Sequence, residues 1–223
     1  MAKQLAGNAI CCYASNMKIV AIVSQKGGAG KTTLALHIAT AAEAAGFPSV
    51  IIDLDPQASA AGWSDSRQSE APVVVSLPHT RLPQGLQAAS DGGAKLIIID
   101  TAPHSESAAM AAIRAADLVL IPCRAGILDL RAIGTTAELV KLVQKPAYVV
   151  LNAMPPRATQ LLADARAAVE VHGLNVAPVV LQQRAAFAHA LTAGQTAPEY
   201  EPNGKASEEV GALFTWAKAK LLL

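Results

Sequence analysis

The chain has 223 residues, of which 52% are hydrophobic and 16% charged. That length and apolarity support a sizeable buried core and exclude the polar, highly charged profile of a disordered protein. Lys and Arg number 18 against 17 Asp and Glu, a formal net charge of +1, so no global field draws the protein to nucleic acid or to an anionic membrane.

Residues 1–16 read as a flexible extension or the product of an upstream start codon. Their short apolar stretch is interrupted by Gly7 and Asn8, too weak a pattern for a signal peptide. Cys11 and Cys12 are adjacent and Cys123 stands alone, which matches neither a disulfide framework nor a CxxC site and suits a reducing, cytoplasmic compartment. From Met17 onward a single domain is expected. Lys18–Ser24 is a β-rich run ending in a glycine-rich loop, followed by a helix over Leu34–Ala45 that Gly46 and Pro48 close. Ser49–Leu54 is the second strand, and a short helix is expected over Ala58–Arg67. Val73–Leu77, Lys95–Asp100, Leu118–Ile121, Ala147–Leu151 and Val176–Leu181 are further strand candidates. Between and after them, Ser105–Ala115, Leu128–Val143, Thr159–Val171 and Ser207–Leu222 carry helical patterns. Gly194–Lys205, with Pro198, Pro202 and an Asn-Gly pair, is the expected loose stretch. Strands such as Lys95–Asp100 are continuously apolar, as strands covered on both faces are. Alternation at this spacing reads as repeated βαβ units. The expected fold is α/β: one doubly wound, mostly parallel sheet with helices on both faces.

The strongest motif follows the first strand: Lys26-Gly27-Gly28-Ala29-Gly30-Lys31-Thr32-Thr33. A phosphate requires several backbone N–H groups aimed at one point, and glycines let the chain curl that tightly. The helix that follows adds the partial positive charge of its N-terminus. In such a loop Lys31 reaches the β- and γ-phosphates and the Thr32 hydroxyl ligates Mg²⁺. The general pattern is GxxxxGK[ST]; here Gln25 holds the first glycine's position and Lys26 adds a second cation at the mouth. Asp53 and Asp55 follow the second strand, two residues apart and so on one side of an extended chain. Asp100 ends the Lys95–Asp100 strand. Ligands in open α/β sheets bind at the strands' C-terminal edge, which brings the three carboxylates and the loop to one rim. Phosphoryl transfer needs a metal on the phosphate oxygens and a residue to orient water. Asp100 fits the metal role; for each Asp taken alone, capping the next turn or helix is the alternative.

KGGAGKTT resembles the variant Walker A loop of the ParA/MinD ATPases, which position plasmids, chromosomes and other cargo, and the likeness spans most of residues 17–223. It is similar above all to small plasmid-partition members without an N-terminal DNA-binding domain. The resemblance implies ATP/ADP and Mg²⁺ as cofactors and an ATP-dependent sandwich homodimer, with higher polymers left open. It implies that Lys26 crosses to the partner's phosphates, that Asp55 positions the hydrolytic water and that Asp53 supports the metal. Asp100-Thr101-Ala102-Pro103 resembles the second switch segment; Gln57 and Ser59 fall in the first. Asn152 is placed against adenine, or else it starts a turn before Pro155 and Pro156. Arg184 serves interface or partner contacts, or is a solvated helix-start residue. Implied partners are non-specific DNA, which would associate the protein with the bacterial nucleoid when ATP is bound, and a centromere-binding ParB-type adaptor. Arg124, Arg131, Lys141, Lys145, Arg157 and Arg166 supply basic charge in the second half, none of them individually a DNA contact. The last helix offers only Lys218 and Lys220 on its polar side, too few cations for a membrane-surface helix, so docking on the core is expected. The resulting reading is a DNA-partition ATPase. A MinD-like positioning ATPase acting on membrane or another cargo is the alternative, and a dethiobiotin-synthetase-type enzyme a more distant one. His37, His79, His104, His172 and His189 show no metal spacing, and Trp63 and Trp216 read as packing residues.

Overall fold

The computed structural model describes residues 17–223; the expectations for residues 1–16, including Cys11 and Cys12, lie outside the described residues. Seven strands form one all-parallel sheet: β1 (Lys18–Ile22), β2 (Ser49–Asp53), β3 (Val73–Ser76), β4 (Leu96–Asp100), β5 (Leu118–Cys123), β6 (Ala147–Leu151) and β7 (Asn175–Val176). Their order is β3-β2-β4-β1-β5-β6-β7. The connecting helices are α1 (Lys31–Ala44), α2 (Ser59–Asp65), α3 (Leu82–Asp91), α4 (Glu106–Ala115), α5 (Ile127–Val143) and α6 (Thr159–Val171). After β7 come α7 (Ala185–Thr192), α8 (Ala197–Tyr200) and α9 (Lys205–Leu221).

The alternation of side chains along each strand divides the core into two layers. Ile19, Ala21, Ile97, Ile99, Val119 and Val149 face α3, α4, α5 and α6. Val20, Ile22, Ile51, Ile98, Leu120 and Val150 face α1, α2 and α9. Both faces of the central strands are covered, which is why β4 and β5 are apolar along almost their whole length, whereas the edge strand β3 leaves Val73 and Val75 exposed. Val210, Leu213, Phe214, Ala217 and Leu221 of α9 are buried, so the last helix docks on the core as expected. Cys123 is buried too, and burial with the nearby Asp129 charge pushes its thiol up to about 12, leaving it an inert packing group.

Three regions depart from expectation. The helix α3 forms over Leu82–Asp91, where none is expected from the sequence. The Val176–Leu181 strand is only two residues long, Asn175–Val176; beyond it a single bridge joins Met154 to Gln182. The segment Gly194–Lys205 is not loose. It holds α8, whose first turn is closed by a capping box between Thr196 and Glu199. Thr196 is fully buried and accepts the Thr40 hydroxyl proton at 2.9 Å. Arg67 lies over the Trp63 ring at 4.6 Å and forks onto Glu199 with bonds of 3.0 and 2.6 Å. The same guanidinium donates to the Ala71 and Gly194 carbonyls. At Gly194, φ is +68°, and a Cβ would meet the Ser66 carbonyl oxygen at 2.5 Å, so this turn requires glycine. Pro and Gly mark a turn correctly; the ties that order it come from residues more than 100 positions away, which local composition does not reveal.

His37 of α1 forms a second tie to the same segment. Its Nε2 accepts the Ala197 N–H at 3.0 Å, so its Nδ1 carries the proton and donates to the Thr33 carbonyl at 2.7 Å. Burial lowers its pKa to about 4, against the opposing pull of the Thr33 carbonyl and Glu199. A folded-state value below the unfolded one gives stability that is present above about pH 6.5 and lost as the pH falls through about 4. Wild type should therefore melt well above His37→Gln at pH 7, and the gap should narrow toward pH 4; a constant gap in a thermal-melting series would contradict the assignment. Arg67→Ala should cost about 2 kcal/mol in urea unfolding, below the ~3–5 of a fully buried pair, because Glu199 stays one-third exposed and solvent-screened.

Candidate nucleotide-binding site

The register of the sheet assembles the site. Asp53 on β2 pairs with Asp100 on β4, and Asp100 pairs with Ile22 on β1. Parallel neighbours in one register point to one face, here the face that α1 covers. The Thr101 hydroxyl donates to the Ile22 carbonyl at 2.9 Å and stitches the ends of β4 and β1 together. From Ile22 the chain runs through Gln25–Gly30 and turns into α1. Gly28 and Gly30 have φ of +73° and +97°, the left-handed region that glycine adopts without penalty. Gly30 occupies the N-cap position of α1, where no side chain caps the helix and no acidic residue lies in the first turn. A helix of this length presents unsatisfied N–H groups and partial positive charge at such an end. Left open, it is an anion site.

Lys31 is buried at 7% exposure and donates from Nζ to the Lys26 carbonyl at 3.1 Å, across the loop. Burial lowers its pKa, while the nearby Asp100 and Asp55 charges counter that. Lys26 is half-buried at the loop's mouth. Asp100 is completely buried, and neither of its oxygens has a hydrogen-bond partner of ordinary geometry. Burial and the Asp53 and Asp55 charges push it up to about 7; the close Thr32 hydroxyl and the Lys31 ammonium pull it the other way. An ionised carboxylate in this place calls for a cation or donors that the folded chain does not supply.

Asp53 differs from Asp100 although both are completely buried. Its Oδ1 accepts the Asp55 N–H at 2.9 Å and its Oδ2 accepts the Ala60 N–H at 3.0 Å. It braces the turn that carries Asp55 and the start of α2. Of the two strand-end carboxylates, Asp100 alone keeps both oxygens open. Asp55 is half-exposed on the rim, with Oδ1 accepting the Gln57 N–H at 2.9 Å. The Thr32 hydroxyl and the Asp100 carboxylate form a hard, all-oxygen donor pair that fits Mg²⁺. Among the described residues no group of three or more His, Cys, Asp or Glu is placed to hold a metal ion.

A cleft of about 730 Å³ adjoins the loop, lined by Gly30 and Thr33 together with Asn152, Pro155, Gln182 and Arg184. Asn152 Nδ2 donates to the Ala29 carbonyl at 2.9 Å, and its Oδ1 accepts the Ala153 N–H at 2.9 Å. A Cβ on Gly30 would overlap Asn152 Nδ2. Asn152 thus stands at the cleft and also holds the phosphate loop in place. The structure brings together Gly27–Thr33, Lys26, Asp53, Asp55, Asp100 and Asn152. Sequence reasoning did not anticipate the Thr101 stitch or the His37 bridge, whose partners are backbone groups distant in sequence.

Residues 20–197 match the family model described as the CobQ/CobB/MinD/ParA nucleotide binding domain. The chain belongs to this family. A maintenance of carboxysome distribution protein A from Gloeobacter kilaueensis is 32% identical over 160 residues, covering 70% of this chain and 73% of the relative. A ParA protein from Rhizobium radiobacter is 26% identical over 180 residues, 77% of this chain and 81% of that one. The structure of a Cyanothece McdA variant in complex with ATP superposes with a TM-score of 0.70 at 18% identity, over 94% of this chain and 98% of the other. That likeness speaks for the ParA/MinD fold alone; the assignment to ParA/MinD-type nucleotide-binding ATPases rests on the family match.

Because Asp100 is raised, its contribution to stability is present below about pH 3.8 and lost as the pH rises through about 7. Without ligand, Asp100→Asn should therefore melt higher than wild type at pH 8, by ~5–10 °C, and the gain should vanish near pH 4. Equal melting at pH 8 would show that Asp100 is satisfied.

Proposed function

We propose that this protein is an ATP-driven positioning switch. Magnesium-ATP binding closes two copies face to face, the closed dimer holds DNA without regard to sequence, and a partner protein stimulates the hydrolysis that releases it. The observation that carries the reading is the open, uncapped start of α1 facing the buried Lys31 ammonium and the unpartnered Asp100 carboxylate. Thr32 and Asp100 would hold magnesium, which supplies charge neutralisation at the phosphate oxygens when bound. Amides of Gly27–Thr33 and the Lys31 ammonium bind and orient the phosphates. Asp55, on the rim and fixed by its own turn, orients the attacking water, and Asp53 holds that turn. Lys26, at the mouth of the loop, is free to reach a neighbouring copy.

For the cargo, DNA partition with a ParB-type adaptor is the first reading. The likeness to carboxysome-distribution proteins favours a second, in which the cargo is a large protein assembly and DNA serves as the track. A membrane cargo has less support, since the apolar face of α9 is buried in the core. Nucleoid association follows from DNA binding in both favoured readings.

Lys31→Ala should abolish magnesium-ATP binding in calorimetry. Asp55→Ala should bind ATP with near-parental affinity yet hydrolyse it at least ~100-fold more slowly, in line with loss of a water-orienting group, and should stay on DNA in the presence of ATP. Parental turnover by Asp55→Ala would remove that residue from its role. Salt-sensitive DNA retention that appears without nucleotide would refute the switch.

A further inference from the structure

The cleft beyond the phosphate loop is walled on one side by the segment between β7 and α7, which includes Gln182, Gln183 and Arg184. Three backbone bonds hang that segment on the end of β6. Met154 N–H donates to Leu181, Gln183 N–H donates to Met154, and Leu181 N–H donates to Leu151, at 3.1, 2.8 and 2.9 Å. The side chains are set from another direction. Glu209, in the first half of α9, accepts from Arg184 Nε and Nη2 at 2.9 and 2.6 Å through Oε1. Its Oε2 accepts the Gln182 N–H at 3.0 Å. Arg184 Nη2 in turn donates to Gln182 Oε1 at 2.9 Å.

A guanidinium only donates, so the Gln182 atom beside it must be the oxygen, which leaves the amide nitrogen as the end available to the cleft. Asn152, the other amide at the cleft, is engaged at both ends by the Ala29 carbonyl and the Ala153 N–H. Gly30 and Thr33 of the phosphate loop line this same cleft, so it is the space next to the loop that can take the sugar and base of a nucleotide whose phosphates sit there.

We propose that Glu209 is a positioning residue for base recognition: it locks Arg184 and, through it, the Gln182 amide, so that an N–H donor faces an acceptor nitrogen of a purine ring. The docked C-terminal helix thereby sets the base-dependent part of nucleotide affinity, separately from the phosphate loop. This rests on the nucleotide-binding reading above.

The test compares magnesium-ATP with magnesium-tripolyphosphate, which carries the charge without a base, by calorimetry on the full chain. For Glu209→Gln, ATP affinity should fall about five- to tenfold, the range of one lost hydrogen bond, with tripolyphosphate affinity unchanged. Glu209→Asp, which keeps the carboxylate, should recover part of the loss. Gln182→Ala alters a half-exposed side chain and leaves the ion pair in place. It should show the same ATP-selective loss, and combining it with Glu209→Gln should add little. Equal weakening of both ligands, or unchanged ATP binding in both single variants, overturns the proposal. Wild-type protein that binds neither ligand overturns the nucleotide reading itself and this inference with it, whereas wild-type protein that binds both with insensitive variants overturns this inference alone.

Discussion

A carboxylate buried without a partner is the constraint around which this molecule is arranged. Asp100 ends a strand whose other residues are wholly buried apolar groups, and neither of its oxygens has a hydrogen-bond partner of ordinary geometry in the folded chain. Positive charge acts on it from the Lys31 ammonium, the first residue of the uncapped helix α1. Each of these is itself held in an unfavourable state. Lys31 is desolvated, and the helix lacks the polar cap that would normally satisfy its first amides. Positive and negative charge are kept near each other yet not joined, with the Lys31 side chain bonded back to its own loop. A polyanion accompanied by a divalent cation would relieve all three at once.

The rigidity of the rim comes from residues that do no chemistry. Asp53 uses both oxygens on backbone amides, Asn152 ties the phosphate loop to the end of β6, and Thr101 ties β4 to β1. On the far side of α1, His37 and Thr40 reach the Thr196 region, while Arg67 joins the segment after Asp55 to Glu199. The turn carrying Asp55 and the helix carrying Lys31 are thus anchored to one common segment, Gly194–Glu199. That arrangement is a physical basis for the two sides of the site to move together.

Much of this was legible in the sequence, for reasons that can be named. The strands were, because burial on both faces demands uninterrupted apolar runs such as Leu96–Ile99. The phosphate loop was, because few sequences other than a glycine-rich one can aim several amides at a point. The carboxylates were placed on the correct rim because strand ends in a parallel sheet share an edge. Their division of labour was not legible: Asp53 and Asp100 both close apolar strands, and only the downstream amides of Asp55 and Ala60 distinguish them. α3 lies outside the helices expected from the sequence; Pro83 falls within its first turn, where the missing N–H costs nothing. Gly194–Lys205 was misread because its order comes from Arg67, Thr40 and His37, far away in the chain.

The strand order has a consequence for how the pocket is inherited by any part of the polypeptide. Adjacent strands β4, β1 and β5 begin near positions 96, 18 and 118, so neighbours in space are contributed by widely separated stretches. No contiguous half of the molecule contains Lys31, Asp100 and Asn152 together. A nick, a fragment or a shuffled chimera would therefore be expected to lose the whole cradle rather than a graded share of it, and complementation between two halves would demand that they first rebuild the central strands side by side.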